Sequence, residues 1–245
     1  MLRIFRADLH VHTCLSPCGD ISMSPRKIVH RALEQNIDII AINDHNSAEN
    51  TQAVIRAAEG SPLTVLPGME VCTQEEIHVI SLFENVQSAL ELEQIVDDCL
   101  HGENDAETFG LQVVANEDDE VVSFNSKLLI GAADLSVDMV VDIIHRLGGI
   151  AIASHIDRPS YSVIGQLGFI PDNLTFDALE ISAGMTIESA RARYPEYSGY
   201  VFVQNSDAHV LDDIGKSTTQ LMLEQPSFGE IKKALRKQEG RTVLP

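Results

Sequence analysis

Short β-branched runs alternate with helical segments along this chain, and most runs carry a histidine or a carboxylate where they stop. The first run ends in Ala7-Asp8-Leu9-His10-Val11-His12. Residues two apart in a strand share a face, so both imidazoles are expected on one side, together with Asp8. Asp44-His45, Glu70, His78, His155 and Asp207-Ala208-His209 stand at or near the ends of later runs. Imidazole is the commonest biological ligand for zinc-like and manganese-like ions, so this recurrence marks a candidate metal centre. Groups carried by so many successive strands converge on one point only if the strands ring it. The pattern therefore predicts an irregular α/β barrel with its chemistry at the C-terminal ends of the strands.

The apolar pattern predicts strands at about 3–9, 37–42, 63–66, 77–83, 150–153, 176–181, 201–204 and 218–223. It predicts helices at about 25–35, 48–59, 86–100, 136–147 and 186–194. Ser24-Pro25 supplies an N-cap and a proline at the first helical position, and Ser227-Phe228-Gly229-Glu230 reads as a capping box opening a last helix. The continuous apolar run 37–42 is that of a parallel strand buried on both faces. Repeated strand–helix units imply a parallel sheet. The rhythm breaks at about 102–131, read as a hairpin inserted around Asn116-Glu117-Asp118-Asp119-Glu120 in a single catalytic domain over 1–245.

Composition narrows the function. The formal net charge of −20 argues against general affinity for nucleic acid, which requires Lys and Arg to neutralise phosphates. An anionic substrate would then need a locally positive element, and bound divalent ions would supply it. No apolar run is long enough to span a membrane, and the basic start Met1-Leu2-Arg3-Ile4-Phe5-Arg6 has no signal-peptide core, so a cytoplasmic location is expected. Four cysteines, Cys14, Cys18, Cys72 and Cys99, are too few for a disulfide framework. They read as ordinary reduced thiols, with a ligand or redox role for Cys18 as the lesser alternative.

The segments Asp8-Leu9-His10-Val11-His12-Thr13, Asn43-Asp44-His45-Asn46, Gly68-Met69-Glu70, Ile77-His78-Val79-Ile80, Ser154-His155 and Ser206-Asp207-Ala208-His209 together resemble, in order, the PHP (polymerase and histidinol phosphatase) superfamily of metal-dependent phosphoesterases. The resemblance implies a distorted (β/α)7 TIM-like barrel with a trinuclear centre of Zn, Mn or Fe. It implies His10, His12, Asp20, His45, Glu70, His78, His155, Asp207 and His209 as ligands. Glu70 would bridge two metals, one of them shared with His10, His12 and Asp207. The chain departs from the family twice. Its first loop reads Leu15-Ser16-Pro17-Cys18-Gly19-Asp20 where the family has Ser-Asp-Gly, and His155-Ile156 replaces His-Pro.

The expected activity is hydrolysis of a phosphate ester by a metal-activated hydroxide, because divalent ions acidify bound water and neutralise phosphoryl oxygens. Asp207 and His209 are candidates for protonating the leaving group. Arg158 is a candidate phosphate clamp or a surface arginine, and Lys216 a weaker candidate. A small phosphorylated metabolite or nucleotide is the expected substrate, with no stable nucleic-acid complex. The rivals are a 5′–3′ exonuclease or proofreading domain, disfavoured by the absence of Trp, and a metal-binding regulatory module without turnover. His30, His101 and His145 lie in helical stretches and read as structural. Asp8 and Asp44 either orient an imidazole or cap a turn, and Asn43 and Asn46 read as turn formers. Gly215-Lys216-Ser217 is not a phosphate-binding loop, since the position five before Gly215 is Val210.

Overall fold

The computed structural model describes residues 1–245. Eleven strands are present: β1 (Arg3–Val11), β2 (Ile39–Ile42), β3 (Thr64–Cys72), β4 (His78–Leu82), β5 (Val113–Ala115), β6 (Val121–Phe124), β7 (Ile150–Ala153), β8 (Ala178–Ile181), β9 (Phe202–Gln204), β10 (Thr219–Leu223) and β11 (Thr242–Val243). The helices are α1 (Pro25–Glu34), α2 (Thr51–Ala57), α3 (Val86–Cys99), α4 (Ala106–Phe109), α5 (Val137–Arg146), α6 (Val163–Leu167), α7 (Ile187–Arg193) and α8 (Phe228–Leu235). Nine strands form one sheet in the order β11-β10-β1-β2-β3-β4-β7-β8-β9.

The sheet curls into a nearly closed barrel. At the mouth, the His12 amide donates to the Ala208 carbonyl at 3.0 Å, joining β1 to the segment after β9. Lower down, the Thr219 hydroxyl spans the remaining gap, accepting from the Gln204 amide and donating to its carbonyl, both at 2.9 Å. Seven strands, β1, β2, β3, β4, β7, β8 and β9, ring the interior, the number implied by the resemblance.

Alternation divides the apolar residues into an interior and a coat. Ala7, Leu9, Ile39, Ala41, Leu66, Ile80, Leu82, Ile150, Ile152, Ala178 and Val203 pack into one cluster, with contributions from all seven strands. Intervening residues such as Ile40 and Ile42 pack outward with Ile28 and Val54 of α1 and α2, and Val79, Ala151 and Ala153 pack with α3 and α5. Both faces of β2 are therefore buried, as its continuous apolar run predicts. Continued towards the mouth, the inward phase reaches Glu70, His78, Glu180 and Asn205, and the filling changes from apolar to polar.

Three expectations need correction. The sheet is not wholly parallel, because β4 runs antiparallel to both β3 and β7. Only five residues separate β3 from β4, too few for a helical crossover, so the chain reverses in a turn closed by the Thr73 amide on the Ile77 carbonyl at 2.9 Å. Second, Asp8 does not share a face with His10 and His12. The β1–β2 register shifts between Asp8 and Val11, a bulge that changes the side-chain phase. Asp8 instead accepts the Ser206 and Gly215 amides, each at 3.0 Å, and ties down the loops after β9. Third, the capping box does not form. Ser227 precedes α8 without a side-chain cap bond, while Glu230 accepts from the Glu224 amide at 2.7 Å and Arg241 Nε at 3.0 Å.

Residues 102–131 hold α4 and the β5–β6 hairpin, a two-stranded sheet apart from the barrel. The hairpin braces the first loop, with the Val113 amide on the Cys14 carbonyl at 3.0 Å and Asn50 bonded to Val113 and Ala115. No helix is long and apolar enough to cross a membrane.

Gly68 is the tightest point near the mouth. A Cβ there would lie 2.3 Å from the Ser81 carbonyl oxygen and 2.5 Å from Asn43 Oδ1. Gly68→Ala is expected to lower stability by about 1–3 kcal/mol through overpacking. A lower midpoint in urea unfolding, with an unchanged slope, is the expected readout.

Candidate metal centre

Each expected group reaches the mouth for a local reason. His10 and His12 follow the β1 bulge, and Glu70 follows the inward phase of β3. His78 opens β4, and because that strand is reversed, its first residue lies at the same end as the last residues of its neighbours. His155 and Asp207 follow β7 and β9 with positive φ, 28° and 51°, a backbone that aims their side chains back over the barrel axis. The Ile156 amide donates to the Glu180 carbonyl at 2.8 Å, a bond that proline at this position could not make.

Glu70 is the hub. Its carboxylate, 1 % exposed, lies 3.3 Å from His10 Nε2, 3.6 Å from His12 Nε2, 3.1 Å from His45 Nδ1, 3.2 Å from His78 Nδ1 and 3.5 Å from His155 Nε2. Asp207 Oδ1 is 3.4 Å from His10 Nε2 and 3.2 Å from His12 Nε2, and the two Nε2 atoms are 3.1 Å apart. Nitrogen and oxygen ligands held tetrahedrally at about 2.1 Å from an ion stand about 3.4 Å apart, so the spacing fits divalent metals. Three groups have ligand atoms within 4.8 Å of one another: His10/His12/Glu70, His45/Glu70/His78 and His12/His45/His209. Glu70 Oε1, His78 Nδ1 and His155 Nδ1 are buried without a hydrogen-bond partner, which also fits ions rather than a protein-only network.

Electrostatics supports the same arrangement. Burial opposes charge on Glu70, but His78 and His10 outweigh it and hold the carboxyl well below its usual range. Burial likewise opposes charge on Asp207, and His10 and His12 overcome it, so the group stays ionised. An ionised carboxylate is the form that ligates a metal. Burial also works against His10, yet Glu180, Asp207 and Glu70 raise its pKa well above the ordinary value, whereas burial and neighbouring imidazoles depress His12.

Asp20 is not part of the cluster. It is exposed, its Oδ1 accepts the Ser22 amide at 2.8 Å, and it lines a separate surface hollow with Pro17 and Ile21. Cys18, two residues earlier and also exposed, lines the cavity over the cluster. Burial raises its thiol pKa, but hydrogen bonds with His209 and His45 outweigh this and bring it down to about 6. His209 stacks on His12 with ring centroids 4.1 Å apart. Arg158 Nη1 lies 2.7 Å from Asp207 Oδ2 at the rim, while Lys216 pairs with Asp213 away from the site. His30 pairs with Glu34, His145 Nε2 lies 2.9 Å from Asp177 Oδ2, and His101 is exposed, all outside the cluster.

Sequence reasoning missed Glu180, Ser16 and Tyr161. Glu180 accepts the His155 amide at 3.0 Å and Asn205 Nδ2 at 2.8 Å, and meets His10 Nδ1 at 3.0 Å. With a metal bound, this contact would keep the single His10 proton on Nδ1 and leave Nε2 as the inward lone pair. A lone carboxylate inside the apolar run Phe176-Asp177-Ala178-Leu179-Glu180-Ile181 was the available signal. Ser16 does the same for His12: His12 Nδ1 lies 2.9 Å from Ser16 Oγ, which donates to Asp44 Oδ1 at 2.7 Å. Asp44 thus acts on the imidazole through Ser16, and also accepts the Thr13 amide at 2.7 Å. Asn43 and Asn46 brace carbonyls of Leu9, Leu129 and Gly131.

The cluster floors a cavity of about 390 Å³ whose rim includes Cys18, Ile130, Arg158, Pro159, Ser160 and Tyr161. Tyr161 has φ 57°, is 42 % exposed, and stacks on His78 at 4.7 Å. Glu180→Gln would turn an amide donor towards groups that themselves donate. It is expected to weaken metal binding by about 10–100-fold with the fold retained, measured by competition with a chelator.

Comparison with known proteins places this geometry. A 5′-3′ exoribonuclease, Rnm, of Escherichia coli is 37% identical over 83 residues, covering 31% of this chain and 26% of that protein. The alignment thus spans about a quarter of the curated relative. The lesion-specific endonuclease EndoQ of Pyrococcus furiosus superposes with a TM-score of 0.78 at 16% identity, over 98% of this chain and 58% of that one. An Endonuclease Q complex with a 27-mer duplex substrate carrying an abasic lesion gives a TM-score of 0.73 at 15% identity, over 98% and 58%. These findings overturn the expected small phosphorylated substrate and the expected lack of a nucleic-acid complex, since these three similar proteins are nucleases. The inference failed physically because net charge describes the whole surface, whereas Arg158 and metal-binding groups set the field at the mouth. The PHP domain family matches residues 8–241, so this chain belongs to the PHP superfamily, whose members are hydrolases of phosphoesters.

Proposed function

We propose that this protein is a divalent-metal phosphodiesterase that trims nucleic acid from a 5′ end. The observation carrying the proposal is the joint placement of Arg158 and Tyr161 on the rim of a cavity floored by the Glu70-centred cluster. A cavity of about 390 Å³ is of the size that encloses a small ligand, and so suits a terminal nucleotide better than a continuous duplex. The likeness to 5′-3′ exoribonucleases supports the same reading.

His10, His12, Glu70 and Asp207 would hold one ion, and Glu70, His78 and His155 a second, with His45 and His209 nearest the mouth. Bound divalent ions would acidify a water and neutralise phosphoryl oxygens. Glu180 and Ser16 keep His10 and His12 in the tautomer that presents Nε2 to the site. Arg158 grips non-bridging phosphate oxygens with its planar fork, exchanging part of its pairing with Asp207 for the substrate. Tyr161 keeps one face on His78 and offers its open side to a base or ribose, a contact tolerant of sequence.

The test is an oligonucleotide panel with Mn or Zn: 5′-phosphorylated RNA and DNA single strands, plain duplex, and duplex with an abasic site. Stepwise release of mononucleotides from the 5′ end is expected. Internal incision alone would replace the end-trimming reading, and no hydrolysis of any member would overturn the activity. Arg158→Ala is expected to reduce kcat/KM by about 10–100-fold, the loss of a charge-assisted hydrogen bond. Tyr161→Ala is expected to raise KM by about 5–100-fold with a smaller effect on kcat, and Tyr161→Phe to restore it. Equal KM values for all three Tyr161 forms would rule out stacking.

A further inference from the structure

A second hollow opens beside the cavity, where the first loop meets the segment after α4. It is lined by Pro17, Gly19, Asp20, Ile21, Gly110 and Leu111. Cys18, between Pro17 and Gly19 in the chain, lines the cavity instead, so a single turn of backbone forms the ridge between the two. The Asp20 amide donates at 2.8 Å to the carbonyl of His209, a residue of the cavity wall. Pro17 and Gly19 are less than about 8 Å apart along the chain, a span that one nucleotide of an extended strand bridges.

Both walls are held in place. The Gly19 amide donates to the Ser16 carbonyl at 2.8 Å, and a Cβ at Gly19 would meet the Thr13 carbonyl oxygen at 2.4 Å, so this turn requires glycine. Gly110 follows α4 with φ 88°, and a Cβ there would approach the Pro17 carbonyl oxygen to 3.3 Å. The Val113 amide, on the Cys14 carbonyl at 3.0 Å, ties the Leu111 side to the first loop. A hollow formed in advance costs its ligand little ordering.

The lining selects the occupant. Ile21 and Leu111 are 61 % and 52 % exposed and offer aliphatic surface. No lysine or arginine lines the hollow, and the exposed Asp20 carboxylate repels a phosphate. A nucleobase suits these walls, because its faces lie against aliphatic side chains and an amino group on its edge donates to a carboxylate. Continuity with the cavity, more than the apolar surface itself, points to nucleic acid.

We propose that this hollow is the subsite for the base of the second nucleotide of a single strand whose 5′-terminal nucleotide occupies the cavity. The phosphate joining the two stays on the cavity side of the ridge. The second base crosses the ridge and lies against Ile21 and Leu111 with its amino edge towards Asp20. Adenine, cytosine and guanine carry that amino group, whereas uracil and thymine do not. The proposal rests on the end-trimming reading of the cavity.

Binding and hydrolysis test it separately. For binding, the Mn-loaded protein meets a strand with a methylphosphonate at its first linkage, which resists cleavage. 2-Aminopurine at the second position should brighten as it leaves the stack of neighbouring bases, and at the fourth position it should not. Leu111→Ser and Ile21→Ser should each abolish the brightening and weaken binding by about 3–10-fold, the loss of one apolar contact. For hydrolysis, an abasic second position should raise KM by about 5–10-fold in the native chain and leave it unchanged in Leu111→Ser. Asp20→Asn, whose amide both donates and accepts, should lose the preference against uracil at that position. Trimming indifferent to an abasic second position, without brightening, would overturn the subsite and leave end trimming standing. Failure to trim any strand would overturn both. A change from dimer to monomer on Leu111→Ser in sedimentation, with strand affinity unchanged, would give this face to a second copy of the chain and overturn the subsite.

Discussion

The buried carboxylate of Glu70 is the constraint on which the rest of the site depends. An anion enclosed at the end of a barrel costs several kcal/mol or more unless positive groups surround it. Here five imidazoles lie within 3.6 Å of its oxygens. Imidazoles crowded this closely cannot all be protonated, and they cannot all satisfy one another by hydrogen bonds. Divalent ions would resolve the conflict, because neutral imidazole and ionised carboxylate are the ligand forms.

The surrounding structure serves to keep those lone pairs aimed. Glu180 takes the outer nitrogen of His10 and the backbone amide of His155, so one side chain on β8 sets ligands from two other strands. Ser16 and Asp44 do the same for His12 from the first loop. Asp8, displaced from the site by the bulge, anchors the loops that carry Asp207 and His209. The β5–β6 hairpin braces the first loop from outside, so an excursion from the barrel contributes to the shape of the mouth.

In the proposed function, substrate choice resides in the rim rather than in the surface average. A chain of net charge −20 repels polyanions at long range, yet its cavity gathers an arginine, an exposed tyrosine and a set of metal-binding groups. The field that a phosphate meets at 3–4 Å is governed by those neighbours. Bulk composition is therefore informative about solubility and encounter, and much less so about which anion a site accepts.

Order and type of the elements were legible in the sequence because apolar periodicity is a local property, and the inward groups were legible because they interrupt it at strand ends. His10, His12, His45, Glu70, His78, His155, Asp207 and His209 all meet at the mouth. Whatever depends on register or on chain reversal was not legible. The bulge in β1 turns Asp8 away, the short link before β4 reverses that strand and brings its first residue to the site, and the first loop leaves Asp20 outside it. Glu180 was hidden because a carboxylate within a strand reads as ordinary alternation until its partners, 25 and 170 residues away in the chain, are beside it. The sequence by itself determined which chemistry the chain carries and the strand ends that bear it. Only the tertiary structure decided which side chain faces inward, because a one-residue shift in register moves a side chain to the opposite face of a strand.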